Sequence, residues 1–156
     1  MYIGKHMGYI DSIRKHIGHN PILSAGATIV VLKDNKILLN LRSDTNTWGI
    51  PGGSLELGET LEGAAARELK EETNLDAESF TLLNVFSGND FYFEYPNGDK
   101  LYSVIALYRA DNVTGNLKAT DGESFELQYF GKEQLPQLES RAKKIIDWLI
   151  EKEIIL

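Results

Sequence analysis

The 156-residue sequence contains no cysteine. The chain can therefore form neither a disulfide framework nor a thiolate metal site, which suits a cytoplasmic protein. It also lacks any hydrophobic run near the roughly 18 residues that a membrane-spanning helix requires. Residues 1–20 have no apolar core of the kind found in a secretory signal peptide. These absences exclude a disulfide-stapled secreted protein and predict that no membrane is involved.

Positive charge is scarce as well. The chain has 16 lysines and arginines against 23 aspartates and glutamates, and its formal net charge is −7. This balance argues against a nucleic-acid partner held through a broad basic surface. It does not exclude phosphorylated small molecules, because divalent cations can stand between carboxylates and phosphates. The length and the 42% hydrophobic content fit one globular domain.

Hydrophobic spacing predicts alternating strands and helices. The predicted helices are 8–18, 60–74 and 141–151, and the predicted strands are 24–32, 37–41, 80–87, 90–95, 101–110 and 126–130. Turns are expected at 33–36 and 96–99, where Asn97-Gly98 favours a tight hairpin. This order predicts an α/β fold, a mixed β-sheet covered by helices on both faces. We expect residues 1–21 to be an N-terminal helical extension and residues 22–156 to be a single domain.

Acidic residues are concentrated on one face of the predicted helix 60–74. Glu68, Glu71 and Glu72 follow an i, i+3, i+4 spacing, which places them within an arc of roughly 100°. Their mutual repulsion would be relieved by a shared divalent cation such as Mg²⁺ or Mn²⁺, although a solvated acidic face is the alternative. Glu72 falls on the apolar stripe of the helix and therefore needs a partner. Arg67, four residues before Glu71, can hold that carboxylate in position.

A glycine-rich segment, Trp48-Gly49-Ile50-Pro51-Gly52-Gly53, precedes this helix. From Gly53 the chain runs five residues to Glu59 and seven more to Arg67-Glu68-Leu69-Lys70-Glu71-Glu72. This spacing resembles the box of the Nudix hydrolases at every fixed position except Asn74, where that family has glycine. Asparagine is the next most tolerant residue at positive φ, so we expect the loop–helix–loop geometry to be kept.

The resemblance implies a Nudix-like α/β/α sandwich with a mixed sheet, a short N-terminal helix being added in this chain. It also implies a metal-dependent hydrolase that uses Mg²⁺ or Mn²⁺ to cleave the pyrophosphate of a nucleoside diphosphate linked to another group. ADP-ribose or a nucleotide sugar is the favoured substrate. The alternatives are a nucleoside triphosphate, including oxidised ones, or a catalytically silent module that senses a nucleotide.

The same resemblance assigns roles to residues. Glu68, Glu71, Glu72 and the Gly53 carbonyl would hold metal, and the three glutamates and Arg67 would form the catalytic set. Glu59 and Asn74 would support that site, and Glu59 and Arg67 would orient its carboxylates. The general base would be a glutamate of the box or one from a later loop.

Candidates outside the box have two interpretations each. Glu123 is either a catalytic base and metal ligand or a solvated loop acid. Arg42 either binds a substrate phosphate, together with Gly52 and Gly53, or is an ordinary surface arginine. The aromatic residues of 91–95 either fill the core or stack on a nucleobase. The N-terminal helix either packs on the domain or pairs two subunits as a homodimer.

Overall fold

Tight turns and β-branched runs divide the chain into short elements, which a computed structural model describes for residues 8–120 and 122–156. The described helices are α1 (Tyr9–Ile17), α2 (Leu61–Thr73) and α3 (Ser140–Glu151). The described strands are β1 (Ile22–Val30), β2 (Leu32–Lys33), β3 (Lys36–Arg42), β4 (Trp48–Gly49), β5 (Gly52–Ser54), β6 (Asp76–Phe86), β7 (Tyr92–Glu94), β8 (Lys100–Thr114) and β9 (Ser124–Phe130). None of the described helices is both long and apolar enough to cross a membrane.

The strands form a five-stranded mixed sheet and a four-stranded antiparallel sheet. The mixed sheet has the order β5-β1-β8-β6, with β7 also paired to β8. Its central pair, β1 and β8, is parallel, and the other pairs are antiparallel. The second sheet joins β2, β3 and β4, with β9 on the other edge of β3. The expected mixed sheet is confirmed, and the remaining strands form the second sheet beside it.

Alternation along the strands buries side chains on both faces of these sheets. In β1, Ile29 packs into a cluster with α2, whereas Val30 packs into a separate cluster with α3. In β3, Leu38 joins the α2 cluster and Leu39 joins the α3 cluster. The strands therefore lie between α2 on one face and α3 on the other, which is the expected α/β/α sandwich.

One predicted strand, 90–95, is only partly correct. Residues Asn89–Phe91 form a short 3₁₀ turn, and the strand comprises only Tyr92–Glu94. Gly88 enters this turn with φ 98°, and Phe91 is then buried beside Phe86, with their ring centroids 5.2 Å apart. The buried aromatic contact favours the turn over the alternation that the sequence shows.

Helix α1 packs on the rest of the chain through polar contacts at both of its ends. At its start the backbone N–H of Tyr9 donates to Glu56 Oε2 over 2.8 Å. At its end the Arg14 guanidinium donates to the carbonyl oxygens of Asn20 and Lys100 over 2.5 and 2.6 Å. Residues 1–7 of the predicted extension lie outside the described residues. The contacts support packing on the domain, and a homodimer stays a prediction.

Truncation of a central side chain tests the α2 cluster. Leu69→Ala removes a fully buried side chain of α2, and we expect it to lower the free energy of unfolding by about 2–5 kcal/mol, because it leaves a cavity. Leu82→Ala, at a half-exposed position of β6, is the matched control and should change it by less than about 0.5 kcal/mol. Urea denaturation measures both, and equal losses would contradict this account of the core.

Candidate active site

Helix α2 is fixed at both ends by its own sequence. At its start the Thr60 hydroxyl accepts a hydrogen bond from the Gly63 backbone N–H over 3.0 Å. At its end Asn74 adopts the left-handed conformation, with φ 65° and ψ 9°, and its N–H bonds to the Lys70 carbonyl. The conformation of Asn74 was predicted from the sequence. The two caps fix where the helix begins and ends.

Two of these carboxylates are buried. The exposed fractions of Glu68 and Glu72 are 7% and 5%, and Glu71 is half-buried. Burying an ionised carboxylate is costly unless hydrogen bonds replace its hydration. Glu72 Oε2 accepts such a bond from the Gly52 backbone N–H over 2.9 Å. Strand β5 (Gly52–Ser54), called the glycine strand below, thus supplies a partner for Glu72.

Strand β5 approaches both α2 and β1 too closely for side chains. It pairs antiparallel with β1, placing Gly53 opposite Ala27. A Cβ atom on Gly53 would overlap the Glu68 carboxylate, and one on Gly52 would overlap the Ala27 carbonyl. The two glycines, expected in a tight loop, are thus strand residues that allow a backbone to lie directly against buried carboxylates.

The Arg67 guanidinium joins the acidic residues of the site. It makes two hydrogen bonds to the Glu59 carboxylate, of 2.7 and 2.9 Å, and one of 2.7 Å to Glu68 Oε1. It also reaches Glu71 Oε2 at 3.5 Å and the Ser54 carbonyl at 3.1 Å. The bonds with Glu59 raise the pKa of Arg67 above its ordinary value and lower the pKa of Glu59 below 4.5.

The oxygen donors present suit a hard divalent cation. Carboxylates and backbone carbonyls are the ligands that Mg²⁺ and Mn²⁺ prefer, and Glu68 and Glu72 bring two buried carboxylates to the glycine strand. Within residues 8–120 and 122–156, no group of three or more metal-ligating side chains is assembled as the structure stands. The oxygen donors are thus of the kind that the expected metal prefers. The expected ligand set stays a prediction.

A cleft of about 110 Å³ opens beside the glycine strand, and Arg42 lies on its wall. The Arg42 guanidinium makes paired hydrogen bonds of 2.9 and 2.6 Å to Asp44 and lies 5.4 Å from the Phe93 ring centroid. Burial lowers the pKa of Arg42, but the hydrogen bonds and charge of Asp44 outweigh this and raise it overall. The structure thus brings Arg42 to the same cleft as Gly52 and Gly53. Its guanidinium is already paired with the Asp44 carboxylate.

Several cleft residues were missed by sequence reasoning. Glu139, with only 6% of its surface exposed, caps α3 by accepting bonds from the N–H groups of Arg141 and Ala142. Arg141 bonds Glu139 Oε1 over 3.0 Å, lies 3.3 Å from Ser103 Oγ and covers the Phe93 ring at 4.1 Å. An acid just before the predicted helix was the available signal, but glutamate is not a common N-cap residue.

Glu123 is half-buried and directly precedes β9, whose first residue, Ser124, pairs with Arg42. Its carbonyl oxygen accepts bonds from the backbone N–H and the hydroxyl of Ser43, over 3.0 and 2.8 Å. Glu123 is therefore bonded to the residue that directly follows Arg42. Its role as base or ligand stays a prediction. Of the aromatic residues, Phe91 and Phe93 are buried and Tyr95 lines the cleft.

Comparison with known proteins decides the family. The family model described as NUDIX domain matches residues 23–149. The chain belongs to this family. Nudix relatives include the ADP-ribose pyrophosphatase of Methanocaldococcus jannaschii, which is 39% identical over 120 residues, 75% of this chain and 67% of that protein. The chain spans 42% and 65% of the lengths of two further curated relatives. The resemblance to Nudix hydrolases seen in the sequence is confirmed.

Solved Nudix structures share the fold. A MutT NUDIX hydrolase from Burkholderia pseudomallei superposes with a TM-score of 0.69 at 27% identity, covering 81% of this chain and 97% of that one. The NUDIX domain of Shewanella oneidensis NrtR, solved with ADP ribose, superposes with a TM-score of 0.65 at 22% identity. It covers 88% of this chain and 91% of that chain. These similarities confirm the α/β/α sandwich.

The Arg67–Glu59 pair predicts an acid-sensitive contribution to stability. The pKa of Glu59 is lower in the folded protein than in the unfolded chain, so the pair stabilises the fold at neutral pH. That contribution is lost as the pH falls below about 4.5. Glu59→Gln should therefore lower the free energy of unfolding at pH 7. Between about pH 5 and 3, the free energy of unfolding of this variant should decrease less than that of wild type. Urea midpoints across this range test it, with Glu151→Gln on α3 as control. If the urea midpoint of Glu59→Gln changes with pH as steeply as that of wild type, the pairing is contradicted.

Proposed function

We propose that this Nudix protein is a metal-dependent pyrophosphohydrolase that cleaves a nucleoside diphosphate linked to a neutral sugar, with ADP-ribose as the first candidate. The observation that carries the proposal is the contact of one helix face with the glycine strand. Arg67 holds Glu59 and Glu68 there, and the Gly52 N–H holds Glu72, beside a cleft that contains Arg42. The relative named ADP-ribose pyrophosphatase, 39% identical to this chain, supports the substrate.

The residues of the box would have two roles, holding the metal and orienting the carboxylates that hold it. Glu68, Glu71, Glu72 and the Gly53 carbonyl would hold Mg²⁺ or Mn²⁺. The cation supplies positive charge that neutralises the pyrophosphate and acidifies an attacking water. Arg67 and Glu59 would keep the carboxylates oriented before substrate arrives, which lowers the reorganisation required during the reaction. A box glutamate or Glu123 would accept the proton of the water.

The charges in the cleft support a neutral group attached to the diphosphate. Each of its two arginines already has an acidic partner, Arg42 with Asp44 and Arg141 with Glu139. A further phosphate would compete with these carboxylates, whereas the hydroxyls of a ribose can donate and accept hydrogen bonds without adding charge. The Tyr95 side chain adds an aromatic surface to the same wall. A homodimer and a cytoplasmic location remain predictions.

A substrate panel tests the proposal. ADP-ribose, nucleotide sugars, nucleoside triphosphates and dinucleoside polyphosphates are incubated with protein and Mg²⁺ or Mn²⁺, beside metal-free controls. Added phosphatase then releases phosphate from the monoester products. We expect metal-dependent turnover of ADP-ribose. Preferential turnover of triphosphates would contradict the sugar assignment, and silence across the panel from folded protein would favour a nucleotide-sensing module.

Glu72→Gln tests the box directly. The substitution keeps the side-chain volume and an oxygen that can accept the Gly52 N–H, but removes the negative charge. We expect kcat to fall at least about a hundredfold, equivalent to roughly 2.7 kcal/mol. Glu62→Gln on the same helix, where the side chain bonds Tyr108, is the control and should retain wild-type turnover. Near-wild-type kcat for Glu72→Gln at saturating Mg²⁺ would show that this role is misassigned.

A further inference from the structure

The loop between β8 and β9 is attached to the C-terminal end of α2. The Thr120 hydroxyl donates to the Glu71 carbonyl over 2.5 Å, and the Lys118 N–H donates to the Thr73 carbonyl over 2.9 Å. The last carbonyl groups of a helix have no partner within the helix. The loop therefore provides hydrogen bonds that complete the end of α2.

Asn74 adds a third attachment through its side chain. Its Nδ2 donates to the Asn116 carbonyl oxygen over 2.9 Å, while its backbone keeps the left-handed conformation that closes α2. Glycine would adopt the same backbone at lower cost but has no side chain with which to bond the loop. Asparagine thus combines the cap of the helix with a donor to the loop. Gly115 approaches the same point, since a Cβ there would lie 3.1 Å from the Asn74 carbonyl.

Glu123, after this loop, is bonded to the residue that follows β3. The Glu123 carbonyl accepts both bonds from Ser43, the residue after Arg42. The loop is therefore anchored on α2, which carries Glu71 and Glu72, and on the end of β3, which carries Arg42.

We propose that Asn74 is a positioning residue. Its amide holds residues 115–120 against α2, and this attachment fixes the position of Glu123, and with it the end of β3, relative to the carboxylates of the helix. The effect on turnover rests on the proposed function, whereas the attachment itself does not.

The test compares two asparagines that both have positive φ. Asn74→Gly keeps the left-handed conformation and removes the donor. Asn112→Gly is the matched control, because Asn112 also has positive φ, 53°, and its Nδ2 bonds Glu78 Oε2 over 3.0 Å, away from the loop. For Asn74→Gly we expect the Lys118 amide to exchange about five- to tenfold faster. We expect kcat for ADP-ribose to fall about tenfold, with KM within about twofold. Asn112→Gly should change neither.

Asn74→Asp tests whether the hydrogen bond donated by the side chain is required, because it keeps the shape of the side chain and removes the donor. Aspartate tolerates the left-handed conformation and has nearly the same size, but its carboxylate cannot donate to the Asn116 carbonyl. We expect it to reproduce both the exchange and the kcat effects of Asn74→Gly. Wild-type behaviour of this variant would overturn the proposal, because the donated bond would then be unnecessary.

The two measurements separate the possible failures. Unchanged exchange at Lys118 in Asn74→Gly would overturn the attachment. Faster exchange with unchanged kcat would overturn the positioning role. If the wild-type protein cleaves nothing in the panel, the proposed function fails, and exchange at Lys118 alone then decides whether Asn74 holds the loop.

Discussion

Buried carboxylates on α2 constrain the structure around them. Glu68 and Glu72 are almost fully removed from solvent, where an ionised carboxylate is stable only with strong hydrogen bonds. Arg67 and the Gly52 N–H supply such bonds. This arrangement requires β5 to pass directly beside the helix at Gly53 and beside β1 at Gly52, where a Cβ atom would overlap the Glu68 carboxylate and the Ala27 carbonyl. Pairing of β5 with β1 then places the glycine strand on the edge of the mixed sheet.

The parts of this arrangement that depend on local sequence could be predicted. The bounds of α2 follow from Thr60, Asn74 and helical spacing, and the same spacing brings three glutamates to one face. The hairpin of β2 and β3 follows from a turn at Asp34-Asn35, both of which have positive φ. These features involve residues within four positions of each other, so composition and periodicity are sufficient.

Features that depend on distant contacts could not be predicted. Arg141 meets Ser103, 38 residues away, and Asn74 meets Asn116, 42 residues away. Neither pair has a local pattern, because a hydrogen bond across such a separation depends on how sheets and helices pack. The 3₁₀ turn that interrupts the predicted strand 90–95 has the same cause, since the burial of Phe91 against Phe86 is a tertiary contact. The box could thus be located from the sequence, but the cleft beside it could not.

The contacts of Arg67 argue that its role is to orient the acidic side chains of the site. The Arg67 guanidinium bonds the carboxylates of Glu59 and Glu68 and also reaches that of Glu71. If stability were the only requirement, apolar residues would serve at least as well at the buried positions, since buried ion pairs seldom exceed their desolvation cost. The structure instead keeps the buried carboxylates of Glu68 and Glu72 against the glycine strand, where Arg67 and the Gly52 N–H donate to them. Under the proposed function these carboxylates would serve a divalent cation, and Arg67 would hold them in position before that cation binds.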